Sequence, residues 1–290
     1  PLLKKKELIF LQSIGPRLGG LLTKDIGELK RIFLSPGPIF DPEDRMDDYW
    51  GYTEAFYSVG FRPGDVVQVT FNYHLSPAGL MFEEPLRNLG CASIPAGPTD
   101  PGTQLDIMQK LRVSGYVGTA SYLMHLAQKA EEKGINLRKD LFQEVAFVTG
   151  ERLSEKMRNQ LEKKFDIILR QGYGTADVGC IGYECFHKTG LHISNRCYVE
   201  ICHPDTGIPL KDGEVGEIVV TSFNKTYPLI RLATGDLSYI DRAPCACGRT
   251  SPRLGSIVGR VDTTARIKGM FVYPHQVEQV LARFEEIKRW

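Results

Sequence analysis

Between Val66 and Gln171, short runs of β-forming residues alternate with segments whose apolar residues recur at helical spacing, and this alternation constrains the fold more than any other feature. The runs are Val66 to Phe71, Cys91 to Pro95, Tyr116 to Thr119, Val145 to Thr149 and Ile167 to Leu169. Between them lie Leu80, Leu86 and Leu89; Leu105, Met108 and Leu111; Leu123, Leu126 and Ala130; and Met157, Leu161 and Phe165. Strand, helix, strand, repeated, predicts an α/β fold: a mostly parallel sheet with helices on both faces. Ser76 with Pro77 reads as a cap followed by the first helical position, Ser154 as the cap of the fourth helix, and Gly90 and Gly134 as helix stops.

From about His192 the rhythm changes to strands separated by turn signals, Pro204-Asp205-Thr206-Gly207 and Lys211-Asp212-Gly213, which predicts an antiparallel, barrel-like subdomain. After Gly259 a charged stretch leads into a new strand, Arg266 to Val272, and a helix from Pro274. The expected division is an α/β nucleotide-binding region over 1–190, the antiparallel subdomain over 191–259, and a hinge with the start of a truncated C-terminal lid domain over 260–290. The chain begins at Pro1 and stops at Trp290 just after an amphipathic stretch has begun, so a fragment is expected.

A length of 290 residues at 42% hydrophobic composition allows a large core. Lysine and arginine (36) balance aspartate and glutamate (35), which excludes an overall electrostatic pull towards nucleic acid or an anionic membrane; small molecules are the expected partners. Self-association, a homodimer included, is left open. No run approaches the roughly 20 apolar residues of a membrane span, and Pro1 to Phe10 is too short an apolar stretch for a signal peptide, so a cytoplasmic location is expected. Seven cysteines, an odd number over this length, do not make a secreted disulfide scaffold, and reduced thiols follow.

In parallel α/β sheets ligands sit at the carboxyl ends of strands. Two candidate loops occupy such positions, Thr149-Gly150-Glu151 and Gln171-Gly172-Tyr173-Gly174-Thr175-Ala176-Asp177. Their glycines permit close approach of a ligand, Tyr173 offers a flat face to a purine, and Asp177 is placed to hold a cation beside phosphates. The alternative is that the glycines only make turns and Tyr173 only packs.

Spacing separates these readings. Tyr173-Gly174-Thr175-Ala176-Asp177, Pro228-Leu229-Ile230-Arg231-Leu232-Ala233-Thr234-Gly235-Asp236, Gly259-Arg260-Val261-Asp262 and Ile267-Lys268-Gly269 together resemble, in order, the signatures of the adenylate-forming superfamily. Cys245-Ala246-Cys247-Gly248-Arg249-Thr250-Ser251-Pro252-Arg253, Gly259-Arg260 and Phe271-Val272-Tyr273-Pro274 resemble more narrowly the phenylacetate coenzyme A ligase family. The resemblance implies a two-step reaction: a carboxylate attacks the α-phosphate of ATP to give an acyl-adenylate and pyrophosphate, and a thiol, usually coenzyme A, takes the acyl group. It further implies that Gly150, Glu151, Gly172, Tyr173 and Gly174 border the nucleotide, with Thr175 near the phosphates. Asp177 would replace the family's Mg2+-associated glutamate, Asp236 would accept from the ribose hydroxyls, Arg260 would contact the nucleotide, and Asp262 would be the hinge. The alternative for Asp236 and Arg260 is a hairpin turn and a surface ion pair.

The chain departs from that pattern in three places. The family's phosphate loop is rich in serine, threonine and glycine and ends near a lysine; here the segment is Ser35-Pro36-Gly37-Pro38-Ile39-Phe40, in which Pro36 and Pro38 have no N–H and no lysine is present. The arginine that often precedes Thr-Gly-Asp is Ala233, although Arg231 is close by. The lid-domain lysine that contacts the reacting carboxylate is absent.

Cys185, His187 and His192, with the pair Cys245 and Cys247, form a separate signal. Thiolate and imidazole suit tetrahedral zinc, and a structural Zn2+ on Cys185, His192, Cys245 and Cys247 is expected, unligated buried thiols being the alternative. Cys91, Cys180, Cys197 and Cys202 read as core. Tyr73, His74, Gly118 and Thr119 are expected to line the acyl pocket, and His125 to be structural. No Ser, His, Asp arrangement with a nucleophile-elbow spacing occurs, which argues against a hydrolase. The function expected is ATP-dependent ligation of an aryl or other small carboxylate to coenzyme A; the rivals are a noncatalytic adenylate- or acyl-binding descendant and transfer to a carrier-protein thiol.

Overall fold

The computed structural model describes residues 1–263, 265–267, 270–272, 277, 280, 281 and 284. The chain opens with strand β1 (Leu3–Lys4) and helix α1 (Lys5–Ile14), then a hairpin of β2 (Arg31–Ser35) and β3 (Ile39–Glu43), then α2 (Thr53–Val59). The alternation read from the sequence follows as β4 (Val66–Val69), α3 (Leu80–Asn88), β5 (Ala92–Pro95), α4 (Pro101–Lys110), β6 (Gly115–Gly118), α5 (Ala120–Glu132), β7 (Val145–Val148), α6 (Glu155–Phe165) and β8 (Ile168–Thr175). Next come β9 (Gly179–Glu184), β10 (Leu191–Ile193), β11 (Cys197–Cys202), β12 (Gly216–Ser222), β13 (Leu232–Ser238), β14 (Ile240–Asp241), β15 (Arg253–Leu254) and β16 (Gly259–Arg260). Ala265–Ile267 and Met270–Val272 pair antiparallel. Lys268, Gly269, Tyr273, Pro274 and the helix expected from Pro274 lie outside the described residues, apart from isolated positions.

Strands β5, β4, β6, β7 and β8 lie side by side, all parallel. Successive residues of a strand face opposite sides of its sheet. On β7, Val145 and Phe147 accordingly pack with Phe56 of α2 and Phe82 of α3, whereas Ala146 and Val148 pack with Leu126 of α5 and Leu161 of α6. Both faces are therefore covered by helices, as the alternation predicts. Ser154 caps α6, accepting from the Met157 N–H at 3.2 Å. Gly90 and Gly134 follow α3 and α5 with φ of 78° and 71°, conformations glycine adopts without penalty.

Two expectations are corrected. Ser76 and Pro77 do not start α3: the chain turns at Leu75 (φ 59°), the Ser76 hydroxyl accepts from the Ala78 N–H at 3.3 Å within that turn, and the helix begins only at Leu80. Gln171 to Thr175 is not a loop but the second half of β8. This strand pairs in parallel with β7 as far as Gln171, then antiparallel with β9 from Gly172 onward, and β9 satisfies the backbone groups that β7 no longer reaches.

Through β9, β10, β15 and β14 the sheet extends to nine strands, so its far half is antiparallel. A second sheet has β11, β12 and β13 antiparallel, with β16 pairing β13 and β1 lying parallel to β13, Leu3 beside Leu232 and Lys4 beside Ala233. Strands from 191–259 thus serve both sheets. Leu8 of α1 is fully buried in one cluster with Ile218, Val220 and Leu232. No helix among the described residues is long and apolar enough to cross a membrane.

Candidate nucleotide site and cysteine–histidine cluster

Asp236, within β13, accepts hydrogen bonds from Tyr173 Oη of β8 at 2.8 Å and from Arg260 Nη1 of β16 at 3.0 Å. Register places Arg260 directly opposite Asp236, so the contact follows from strand pairing. Asp236 therefore lies in a strand, not a hairpin turn, and its ion pair with Arg260 is half-exposed on the arginine side only. Burial, and then the Asp236 charge, push the Tyr173 phenol well above its ordinary range, which keeps it a donor. Arg260 Nε also donates to Asp262 Oδ1 at 3.1 Å. Ala233 is buried beside Lys4, and Arg231 donates to Glu200 at 3.0 Å, so neither reaches this carboxylate.

The glycines of β8 serve packing. A Cβ on Gly172 would stand 2.4 Å from the Phe147 ring, and one on Gly174 would stand 2.2 Å from Tyr52 Oη. Phe147 and Tyr52 thus account for the absence of a side chain at these two positions, both of which remain partly exposed. Thr175 Oγ1 accepts from the Val178 N–H at 3.3 Å and closes the turn into β9. Gly150 (φ 84°) is more open: the Phe71 ring and the Thr119 methyl lie 3.6 to 4.0 Å from where its Cβ would be. Glu151 accepts from the N–H and hydroxyl of Ser121 at 2.6 and 2.8 Å, in the first turn of α5, which suits a carboxylate at a helix N-terminus. Of the four acyl-pocket candidates, Thr119 joins Gly150. Gly118 is buried against Thr70 and Tyr116, Tyr73 packs over Gly79, and His74 is exposed.

Asp177 is buried, with Lys5 Nζ at 2.8 Å. The hairpin of β2 and β3, whose turn Pro36-Gly37-Pro38 stands where a phosphate loop was expected, carries a second carboxylate here, the fully buried Asp41. Burial, and then the charge of Asp177, push the Asp41 carboxyl up to about 8, against smaller opposing effects of Ser35 and Lys5.

The four expected metal ligands converge. Cys185 follows β9, His192 lies in β10, and Cys245 and Cys247 lie in the β14–β15 connection; their ligand atoms all fall within 4.8 Å of one another. Cys185 Sγ is 3.7 Å from Cys245 Sγ, and Cys247 Sγ is 3.3 Å from His192 Nε2. His192 Nδ1 lies 3.2 Å from Ser251 Oγ. His187 is exposed, and Cys91, Cys180, Cys197 and Cys202 are buried and unbridged.

A family model described as AMP-binding enzyme matches residues 49–225. The chain belongs to the AMP-binding enzyme family. Within this family it is similar to the phenylacetate-coenzyme A ligase of Thermus thermophilus, 32% identical over 235 residues that make 79% of this chain and 53% of the relative. It is also similar to that of Escherichia coli, 30% identical over 253 residues, 83% of this chain and 56% of the relative. The chain thus spans about half the length of the curated relatives it matches. Among solved structures, an open conformation of 2-hydroxyisobutyryl-CoA ligase in complex with 2-HIB-AMP and CoA superposes with a TM-score of 0.90 at 24% identity, over 98% of this chain and 70% of that one. ATP-bound MatB from Rhodopseudomonas palustris superposes with a TM-score of 0.68 at 17% identity, over 90% and 54%. These likenesses establish that the fold is shared.

Sequence reasoning missed Lys5 and Asp41, which lie beside Asp177. In Phe40-Asp41-Pro42 the strand alternation exposes Phe40 and buries Asp41, the reverse of what side-chain polarity predicts, so the pattern concealed the carboxylate. Nothing in the sequence links Lys5 to Asp177, because that contact depends on β1 pairing with β13.

Proposed function

We propose that this chain is the nucleotide-binding part of an ATP-dependent acid–thiol ligase. A small carboxylate, aryl or other, attacks the α-phosphate of ATP; the bond to the bridging oxygen breaks, pyrophosphate leaves, and an acyl-adenylate remains. The thiol of coenzyme A then takes the acyl group and AMP departs. The observation that carries this reading is the meeting of Tyr173, Arg260 and Asp236 from three strands. A carboxylate has about four acceptor positions, so Asp236 retains capacity for the ribose hydroxyls while both partners hold it in place. Gly150, with Phe71 and Thr119, borders the base, Thr175 lies towards the phosphates, and Asp262 is the hinge. At Asp177 the residues do not fit Mg2+: the Lys5 ammonium already stands 2.8 Å away, and no step is assigned to a metal there.

Titration with AMP and with nonhydrolysable acyl-adenylates is expected to give saturable binding that Asp236→Ala weakens about tenfold or more, since a hydrogen bond to a charged group contributes about 1.5–3 kcal/mol. A folded wild-type protein that binds none of these ligands sinks the reading. The hairpin at Pro36 to Pro38 favours a second reading, a noncatalytic adenylate binder, which pyrophosphate release by a chain that includes the lid domain would remove. Comparing coenzyme A with a phosphopantetheinylated carrier as acceptor separates the two thiols.

Cys185, His192, Cys245 and Cys247 form a fitting set for structural Zn2+. Tetrahedral coordination with Zn–S near 2.3 Å sets sulfurs about 3.8 Å apart, in keeping with the 3.7 Å between Cys185 and Cys245. Four protein ligands leave no open position, so the ion would tie β9 and β10 to the β14–β15 connection, with Ser251 orienting the imidazole. Protein purified without chelator is expected to carry one zinc per chain by elemental analysis; well under one excludes the site.

A further inference from the structure

The strand that carries Asp236 is irregular where it matters for the site. Glu217 of β12 stands opposite Leu237 of β13 and Val219 opposite Ala233, so Ile218 alone faces Thr234, Gly235 and Asp236. On the other edge of β13, pairing with β1 ends at Ala233 and pairing with β16 begins at Asp236. The extra residues form a bulge, in which backbone groups lose their ladder partners. Side chains take over that role. Glu217 Oε1 accepts from the Gly235 N–H at 3.1 Å, and Thr234 Oγ1 accepts from the Asp236 N–H at 3.2 Å while donating to the Ile218 carbonyl at 3.0 Å. The Gly235 carbonyl accepts from the Val261 N–H at 2.8 Å. Gly235 has φ of 84°, and a Cβ there would stand 3.1 Å from Arg260 Nη2, so the guanidinium that reaches Asp236 lies against the same turn.

We propose that Glu217 is a positioning residue for the nucleotide: by holding the Gly235 N–H it fixes the bulge that presents Asp236 to the ribose hydroxyls. The ribose as ligand rests on the function proposed above. Tyr173 and Arg260 hold the Asp236 side chain, whereas Glu217 holds the backbone one residue before it, so the carboxylate is fixed from both ends. Glu217 is 5% exposed, and a carboxylate so placed is costly unless it is hydrogen-bonded and matched by charge. Burial pushes its carboxyl up, against the Gly235 N–H and the charge of Lys4, which lines the same cavity of about 360 Å³.

The test is titration calorimetry with AMP and 2′,3′-dideoxy-AMP on the wild type, Glu217→Ala, Glu217→Gln, Asp236→Ala and the Glu217→Ala, Asp236→Ala double variant. Glu217→Ala is expected to weaken AMP about tenfold and to leave the dideoxy nucleotide, which offers Asp236 no ribose hydroxyl, unchanged. In the Asp236→Ala background the same substitution is expected to cost nothing further, because the two residues act as one unit. Glu217→Gln keeps an acceptor for the Gly235 N–H and is expected to bind AMP within about threefold of wild type. Equal losses for both nucleotides, a glutamine variant as weak as the alanine one, or an alanine variant with unchanged AMP affinity overturns the assignment. A wild type that does not prefer AMP over the dideoxy nucleotide removes the ribose reading instead. Amide exchange then decides the role of Glu217: Gly235 and Asp236 are expected to exchange about tenfold faster in Glu217→Ala, and unchanged exchange overturns the anchor.

Discussion

Arg158→Ala is expected to destabilise the protein by about 3–5 kcal/mol, the range for removing one partner of a buried ion pair. For a chain of this size that corresponds to a fall in Tm on the order of 10 °C. Arg158 is fully buried on α6 and donates to both oxygens of Glu184, at 2.9 and 2.7 Å, and to the Leu169 carbonyl at 3.1 Å. Glu184, itself 2% exposed, also accepts from the backbone N–H and side-chain amide of Gln171, each at 2.9 Å. The pair thus fixes β8 at the residue where its pairing changes from parallel to antiparallel, one position before Gly172. Alanine at 158 leaves the Glu184 charge in the interior without its cation. Thermal melts of Arg158→Ala, Glu184→Gln and the double variant check this: the double should lose clearly less than the sum. Additive losses would show that the pair acts as two independent packing residues.

Asp41→Asn is expected to stabilise the protein at pH 8.5 and to flatten the pH dependence of its stability. The folded Asp41 carboxyl is pushed up to about 8 from an ordinary value of 3.8, by burial first and by Asp177 second. A raised carboxyl pKa means that the native state binds the proton more tightly than the unfolded chain does. The associated stability is complete below pH 3.8, declines as pH rises, and is gone above about 8. At about 1.4 kcal/mol per unit, the wild type forfeits on the order of a few kcal/mol across that window through this group. Asparagine cannot ionise and removes the slope. Urea midpoints between pH 5 and 9 read the effect; a variant whose midpoint follows the wild type across the range would place the ionisation elsewhere.

Those two groups also mark where the sequence was legible. The five parallel strands and four helices were visible because each helix keeps its apolar stripe and each strand its β-forming run, so local pattern and final packing agree. The cysteine–histidine cluster was visible because Cys and His are sparse enough for their grouping to stand out. Arg158 was hidden because it shares the buried face of α6 with Leu161 and Phe165, a position that spacing assigns to an apolar residue. At Gly172 and Gly174 the pattern identified a required glycine, but only the positions of Phe147 and Tyr52 show a packing reason for the requirement. Lys5 and Asp41 depend on contacts between segments far apart in sequence, which no local window contains.

The pairing of Leu3 with Leu232 also governs when the protein becomes complete. Most of the chain, the whole parallel core included, lies between these two paired strands. Contacts of such wide sequence separation close late, after the entropy of the intervening chain has been reduced by structure already formed. The contact of Lys5 with Asp177 therefore carries the loop-closure cost of the β1–β13 pairing, on which the placement of α1 depends.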